Sequence, residues 1–215
     1  MAKGFGAQVD SLTFLSPTYN FTQMKNLLSL AFVIFIGCTS STQKRSFDGI
    51  AATKTYFEAL NESNYGKVTS LFLDSIRMRE GIYANVLSKQ DYKQMFQWDS
   101  TFHPTYAIQE IEQSGDTVLM QVSKTCPRIH FLHEEPTVTK ERVVFQNGKI
   151  FSIEIVDFVV FNDDRWSTNR ANLVSFVETK HPELNGFLHD QTKAGAIKYL
   201  KAIELYQSHV APPEK

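Results

Sequence analysis

The chain has little of what usually announces a function. Its 215 residues include only two cysteines, Cys38 and Cys126, too few for a disulfide framework. A surplus of one charge is missing too, with 22 basic and 23 acidic side chains, a net charge of −1 and a pI near 6.6. That balance excludes a broad nucleic-acid footprint, which needs a strongly basic face to displace counterions from phosphates. Nor does any apolar run reach the roughly 20 residues that a membrane-spanning helix requires. The "GFG" near the start lacks the rest of a dinucleotide fingerprint, and no G-x-S-x-G element occurs. No cofactor is expected. What is present, 42% hydrophobic and 13% aromatic residues, is enough to bury one good core.

The longest apolar stretch lies in "NLLSLAFVIFIGC", Asn26 to Cys38, just after Met24-Lys25 and just before the polar "TSSTQKRS". Its ten residues from Leu27 to Ile36 are too few to cross a bilayer. A core helix should show polar residues at helical spacing on its solvent face, yet only Ser29 interrupts this run. A positive residue, an apolar run, a small residue and a cysteine, in that order, resemble the lipobox of a bacterial lipoprotein signal peptide. Phe35 stands where leucine is commonest in that motif. The resemblance implies thioether lipidation of Cys38, cleavage before it and acylation of the new N-terminus. The membrane would then be a partner through Cys38, and the protein would sit in the bacterial cell envelope, facing outside the cytoplasm. Several acyl chains, at about 0.8 kcal/mol per buried CH₂, would anchor a folded domain stably. An ordinary cleaved signal and a core segment are the alternatives. Synthesis is expected to begin at Met24, or residues 1–23 to be lost with the signal; Cys126 would then be the sole thiol left.

Residues 1–37 therefore read as an upstream segment plus signal, and 38–47 as a polar tether. Order is expected to begin near Asp48, an N-cap for "GIAATKTYFEALNES", in which Ile50, Thr53, Phe57 and Leu60 follow helical spacing. Asn64 should cap a second helix, "YGKVTSLFL". Ser88 and Asp91 mark the start of a third, "KQDYKQMFQWDST", with "SIRMREGIY" between them as a short strand and a loop. After Pro104 the period becomes two: "TYAIQEIEQ", "TVLMQVSKT", "TVTKERVVF" and "KIFSIEIVDFVVF" read as antiparallel strands, and Asn147-Gly148 as a hairpin turn. Helices followed by a strand meander make an α+β fold.

The helical stretch "ATKTYFEALNESNYGKVTSLF", a third helix before the sheet and the closing "KERVVFQNGKIFSIEIVDF" resemble the nuclear transport factor 2-like superfamily, particularly its SnoaL-like branch. The resemblance covers roughly residues 48–161 and rests on element order. It implies a cone: a curved antiparallel sheet wrapped around N-terminal helices, with a pocket at the open end and frequent dimerisation across the sheet. Members include isomerases, cyclases and dehydratases, and no catalytic motif of theirs is placed on residues here. Residues 162–209 form a helical extension, in which Ala196, Tyr199, Leu200, Ile203 and Tyr206 stripe a last helix whose apolar face must be covered. Residues 210–215 read as a loose tail.

Three constellations bear on chemistry. Counting back from Asn147-Gly148 places Phe145 opposite Ile150, Val143 opposite Ser152 and Glu141 opposite Glu154. Like charges so placed need a cation between them or a shared proton, and within a pocket such a pair could serve as acid and base. An outward face or a bulge would dissolve the pair. Cys126, His130, His133, Glu134 and Glu135 contain ligand-type side chains but match no standard zinc spacing. On extended backbone His130 and His133 point to opposite faces, and no metal site is expected. Tyr56, Arg79 and Trp98 are pocket candidates. The expectation is a binder of a small, partly apolar ligand or of a protein partner. Two alternatives stand beside it: a proton-transfer enzyme of SnoaL-like type, and an assembly subunit that forms a homodimer through its sheet.

Overall fold

Helix-starting signals in the sequence become hydrogen-bonded caps in the computed structural model, which describes residues 47–211. The signal segment, Met24, Cys38 and most of the tether lie outside the described residues. Asp48 accepts the Ala51 N–H and starts α1, Gly49–Asn61, which buries Thr53, Tyr56, Phe57 and Ala59 along one face. Phe47, just before the cap, already packs on Phe145, with ring centroids 4.8 Å apart. Asn64 likewise starts α2, Tyr65–Ser70. That helix stops short of Leu73, because Phe72 opens the strand β1, Phe72–Glu80, and enters the core with Ile76 on the same strand face. Gly81, at φ +55°, turns the chain into β2, Tyr83–Ser88, so "SIRMREGIY" belongs to a hairpin rather than to a strand and a loop. Ser88 and Asp91 exchange the reciprocal bonds of a capping box and launch α3, Lys89–Ser100.

Strands β3, Thr105–Ser114, and β4, Thr117–Thr125, follow as an antiparallel pair. Next comes a short helix, α4, Pro127–His133, where the sequence reads as an extended or looping stretch. Pro127 occupies the first turn, where its missing N–H costs nothing, and the Cys126 Sγ accepts the Ile129 N–H at 3.4 Å. Strands β5, Thr137–Gln146, and β6, Lys149–Val160, close on Asn147 and Gly148, both at positive φ. The sheet order is β2-β1-β6-β5-β4-β3. It is a mixed sheet and not wholly antiparallel: β1 runs parallel to β6, because the first hairpin joins the far end of the meander after α3 has crossed the sheet's inner side.

The last strand bends because it carries more residues than its neighbour. Phe151, Val156 and Val159 of β6 are each skipped in the pairing with β5, as the register shifts between Val138 and Thr139, Lys140 and Glu141, and Val144 and Phe145 show. Each extra residue bends and twists the strand, and together they curve the sheet around α1 and α3. The first core fills that curve with Tyr56, Phe57, Phe72, Tyr92, Val118, Met120, Val143, Ile150 and Ile153.

Beyond β6, α5 spans Asp163–Lys180, a 3₁₀ turn follows at Pro182–Leu184, and α6 spans Lys193–Val210. A second core holds Leu173, Val177, Phe187, Ala196, Tyr199 and Ile203 of this extension against Phe102, Cys126, Ile129 and Leu132 of the first part. Among the described residues no helix is long and apolar enough to cross a membrane.

Candidate functional site

Inside the curve lies a cavity of about 540 Å³, and the strand alternation decides what lines it. On β4, Val118, Met120 and Val122 are buried in the core, and Lys124, next on the same face, reaches the cavity. On β5, Thr137, Thr139 and Glu141 share the inner face with Val143 and Phe145. Helix α1 supplies Tyr56 and Leu60, α3 supplies Tyr92, Met95, Trp98 and Asp99, and α4 supplies Arg128. Ile153, Ile155 and Phe158 of β6, with Trp166 of α5, complete much of the apolar wall.

The polar groups converge in two clusters. In one, the Lys124 Nζ lies 2.6 Å from the Asp99 Oδ1 and 4.9 Å from the centroid of the Tyr106 ring. The Tyr106 hydroxyl donates to the other carboxylate oxygen, Oδ2, at 2.5 Å. Burial raises the Asp99 carboxyl, but the Lys124 ammonium and its hydrogen bond, the Tyr106 hydroxyl and the Arg128 charge outweigh it and hold the group below its ordinary value. Asp99 is therefore an anion with both oxygens engaged. Burial, followed by the adjacent Asp99 charge, raises the Tyr106 phenol well above its ordinary value.

In the other cluster, Glu141 accepts a hydrogen bond from the Thr139 Oγ1 at 2.9 Å, and among the described residues no cation stands within ion-pairing reach of it. Burial pushes its carboxyl above the ordinary value, although the Thr139 bond and the Lys124 charge pull the other way. The hydroxyls of Tyr56 and Tyr92 lie 3.5 Å apart. Burial raises both phenols, and a neutral phenol can donate to a ligand or accept from one.

The Glu141–Glu154 pair does not exist. Phe151 inserts one residue into β6 just beyond the turn, so Glu141 faces Ile155 and Glu154 faces Arg142. A one-residue shift sends a side chain to the other face of a sheet. Glu141 thus stays inside, while Glu154 lies outside, 3.6 Å from both Arg79 and Arg142. Arg79 is corrected by the same geometry: its side chain is 59% exposed on the outer face and does not line this cavity. Tyr56 and Trp98 do line it.

His130 and His133 do not converge either, though for a different reason than extended backbone. They lie on α4, where His130 is exposed and His133 is wholly buried. The His133 Nε2 accepts the Asn162 N–H at 2.7 Å and its Nδ1 donates to the Glu135 carbonyl at 2.8 Å, so both ring nitrogens are occupied. Glu134 and Glu135 instead face Arg165. Among the described residues no group of three or more His, Cys, Asp or Glu side chains is gathered as a metal site would require.

Sequence reasoning passed over Asp99, Tyr106, Lys124 and Arg128. Lys124 carried a signal, a lysine ending the apolar stripe Val118, Met120, Val122. Asp99 and Arg128 did not, because only the tertiary fold brings α3 and α4 to the mouth of the cavity.

No protein-family model and no curated protein matches the chain. Solved structures similar to it include an NTF2-like protein of unknown function from Cytophaga hutchinsonii, 11% identical, covering 54% of this chain and 93% of its own, with a TM-score of 0.42. A candidate ketosteroid isomerase from Kribbella flavida is 13% identical, covering 53% and 78%, with a TM-score of 0.42. A candidate polyketide cyclase from Sinorhizobium meliloti is 12% identical, covering 49% and 93%, with a TM-score of 0.43. These likenesses concern architecture and have no bearing on activity.

Proposed function

We propose that the cavity binds a small, partly apolar molecule with a polar end. The observation that supports this is an open volume of about 540 Å³ whose walls are aromatic and aliphatic and whose few polar side chains converge. Ligand sites have this make-up, with volumes of roughly 300–1,000 Å³. An interior serving packing alone would be filled to crystal-like density. Solvent extraction of the purified full-length chain followed by mass spectrometry tests the reading. A small molecule near one equivalent is expected, and Ile153→Trp, which fills the cavity, should expel it. Retention of the same molecule by that variant would overturn the assignment.

One observation favours a second reading, proton transfer. Glu141 is a partly buried carboxylate with a single hydroxyl partner, held above its ordinary value by burial, and such a group takes up a proton more readily than a paired one. Exchange of the acidic α-hydrogens of cyclic ketone probes for deuterium, followed by NMR, would reveal it. Exchange should be lost in Glu141→Gln with probe affinity kept.

The envelope location is proposed on the Met24–Cys38 pattern alone. Labelled palmitate should enter the full chain and fail to enter Cys38→Ser.

A further inference from the structure

Arg128 is a cation of the cavity wall to which neither the ligand-binding nor the proton-transfer reading gives a part. Its guanidinium carbon lies 4.9 Å from the ring centroid of Trp98, 5.2 Å from that of Phe102 and 5.4 Å from that of Trp166. Three aromatic faces attract and orient the ion, yet they offer no lone pair to its N–H groups. Among the described residues no carboxylate comes within ion-pairing distance of it. Its Nε–H is fully buried without an acceptor, and so is the Nε1–H of Trp98 beneath it. Buried donors are normally satisfied, and an exception asks for an explanation.

The other charges of the cavity do not supply one. Lys124 and Tyr106 already occupy the two oxygens of Asp99, and Glu80, which also lines the cavity, forms no ion pair with Arg128. Glu141 bonds to Thr139. Lys124 is paired with Asp99, whereas Arg128, among the described residues, has no ion-pair partner. The geometry points to an acidic ligand: a carboxylate on an apolar body, its oxygens taking the terminal N–H groups of the Arg128 guanidinium while the body lies on the hydrophobic wall. A guanidinium presents paired donors that match a carboxylate, whereas a multiply charged phosphate would call for more than one free cation. This assignment rests on the ligand-binding reading above and names the chemical class of the ligand.

The protein contains its own reporter. Its only two tryptophans, Trp98 and Trp166, are the two that flank Arg128, so intrinsic tryptophan fluorescence reads this site alone. The full-length chain is titrated with two matched pairs, decanoate against decanol and 3-phenylpropionate against 3-phenylpropanol. In at least one pair the acid is expected to bind roughly tenfold or more tighter than the alcohol, as a charge-assisted contact allows. Arg128→Gln should abolish that preference and leave the alcohol's affinity within about twofold. Because the substitution disturbs an aromatic cage and can cost folding, the unmodified protein is decisive by itself. Alcohols binding as tightly as their acids would overturn the anion subsite and leave the apolar cavity standing. Failure of all four probes would overturn both.

Discussion

At the residue scale Asp99 and Glu141, two carboxylates of the cavity wall, are in opposite electrostatic states, and pH separates them. The folded value of Asp99 is lowered, so its contribution to stability is present above the unfolded value and is lost as pH falls through the folded one. The folded value of Glu141 is raised, so the native state binds its proton more tightly than the unfolded chain, and ionising it at neutral pH costs stability. Glu141→Gln keeps an acceptor for Thr139 and removes the charge. It should stabilise the protein at neutral pH by about 0.5–1 kcal/mol in urea titrations, and the gain should vanish once the solution is acidic enough to protonate the wild-type side chain. A stabilising change that abolishes ligand binding or proton exchange would mark Glu141 as a functional group kept at a cost. Lys124→Met should act the other way. It strands a largely buried anion, with a loss of roughly 1–3 kcal/mol given that both partners retain some solvent contact. Asp99→Asn in the same chain should recover part of that loss.

The elements themselves were legible to different degrees. Caps at Asp48, Asn64 and Ser88 and the Asn147-Gly148 turn are local chemistry, and each sits where the sequence places it. The register of β6 was not readable from the turn alone, because a bulge adds no residue type that the alternation would flag. One clue lay in the charges: an in-register count sets Glu141 against Glu154, whereas a shift of one sets Arg142 against Glu154, which is the pairing observed. Helix α4 went unread because seven residues give too little periodicity, and Pro127 reads as readily for a loop as for a first helical turn. The start of α6 shows how tightly such segments are tied down. Thr192 caps the helix through the Gly195 N–H, and a side chain at Gly195 would meet the Asp190 carbonyl oxygen at 1.8 Å. Gly195→Ala must therefore displace backbone, and a loss of about 2 kcal/mol or more is expected from the midpoint of urea unfolding.

At the scale of the whole molecule, the helical extension shares a core with the cone's α3–β3 link and α4. Phe102 meets Tyr199 edge to face with ring centroids 5.8 Å apart, and Phe187 meets the same ring at 4.8 Å. The second core takes Cys126, Ile129 and Leu132 from the segment that also holds Arg128 over the cavity. Neither part can loosen without exposing apolar surface of the other, so residues 47–211 should unfold as one cooperative unit. Two signals can test this. Tryptophan fluorescence reads the cavity wall, and far-ultraviolet circular dichroism weights the helices, of which the two longest among the described residues, α5 and α6, lie in the extension. The two urea midpoints should coincide. Tyr199→Ala, which opens a hole between Phe102 and Phe187 in the second core, should lower both by the same amount, with a cost of about 3–5 kcal/mol. If only the dichroism midpoint moved, the extension would be a separate folding unit docked on the cone. The cavity wall formed by Arg128 and Trp166 would then open and close with it, and ligand affinity would fall as the extension loosened.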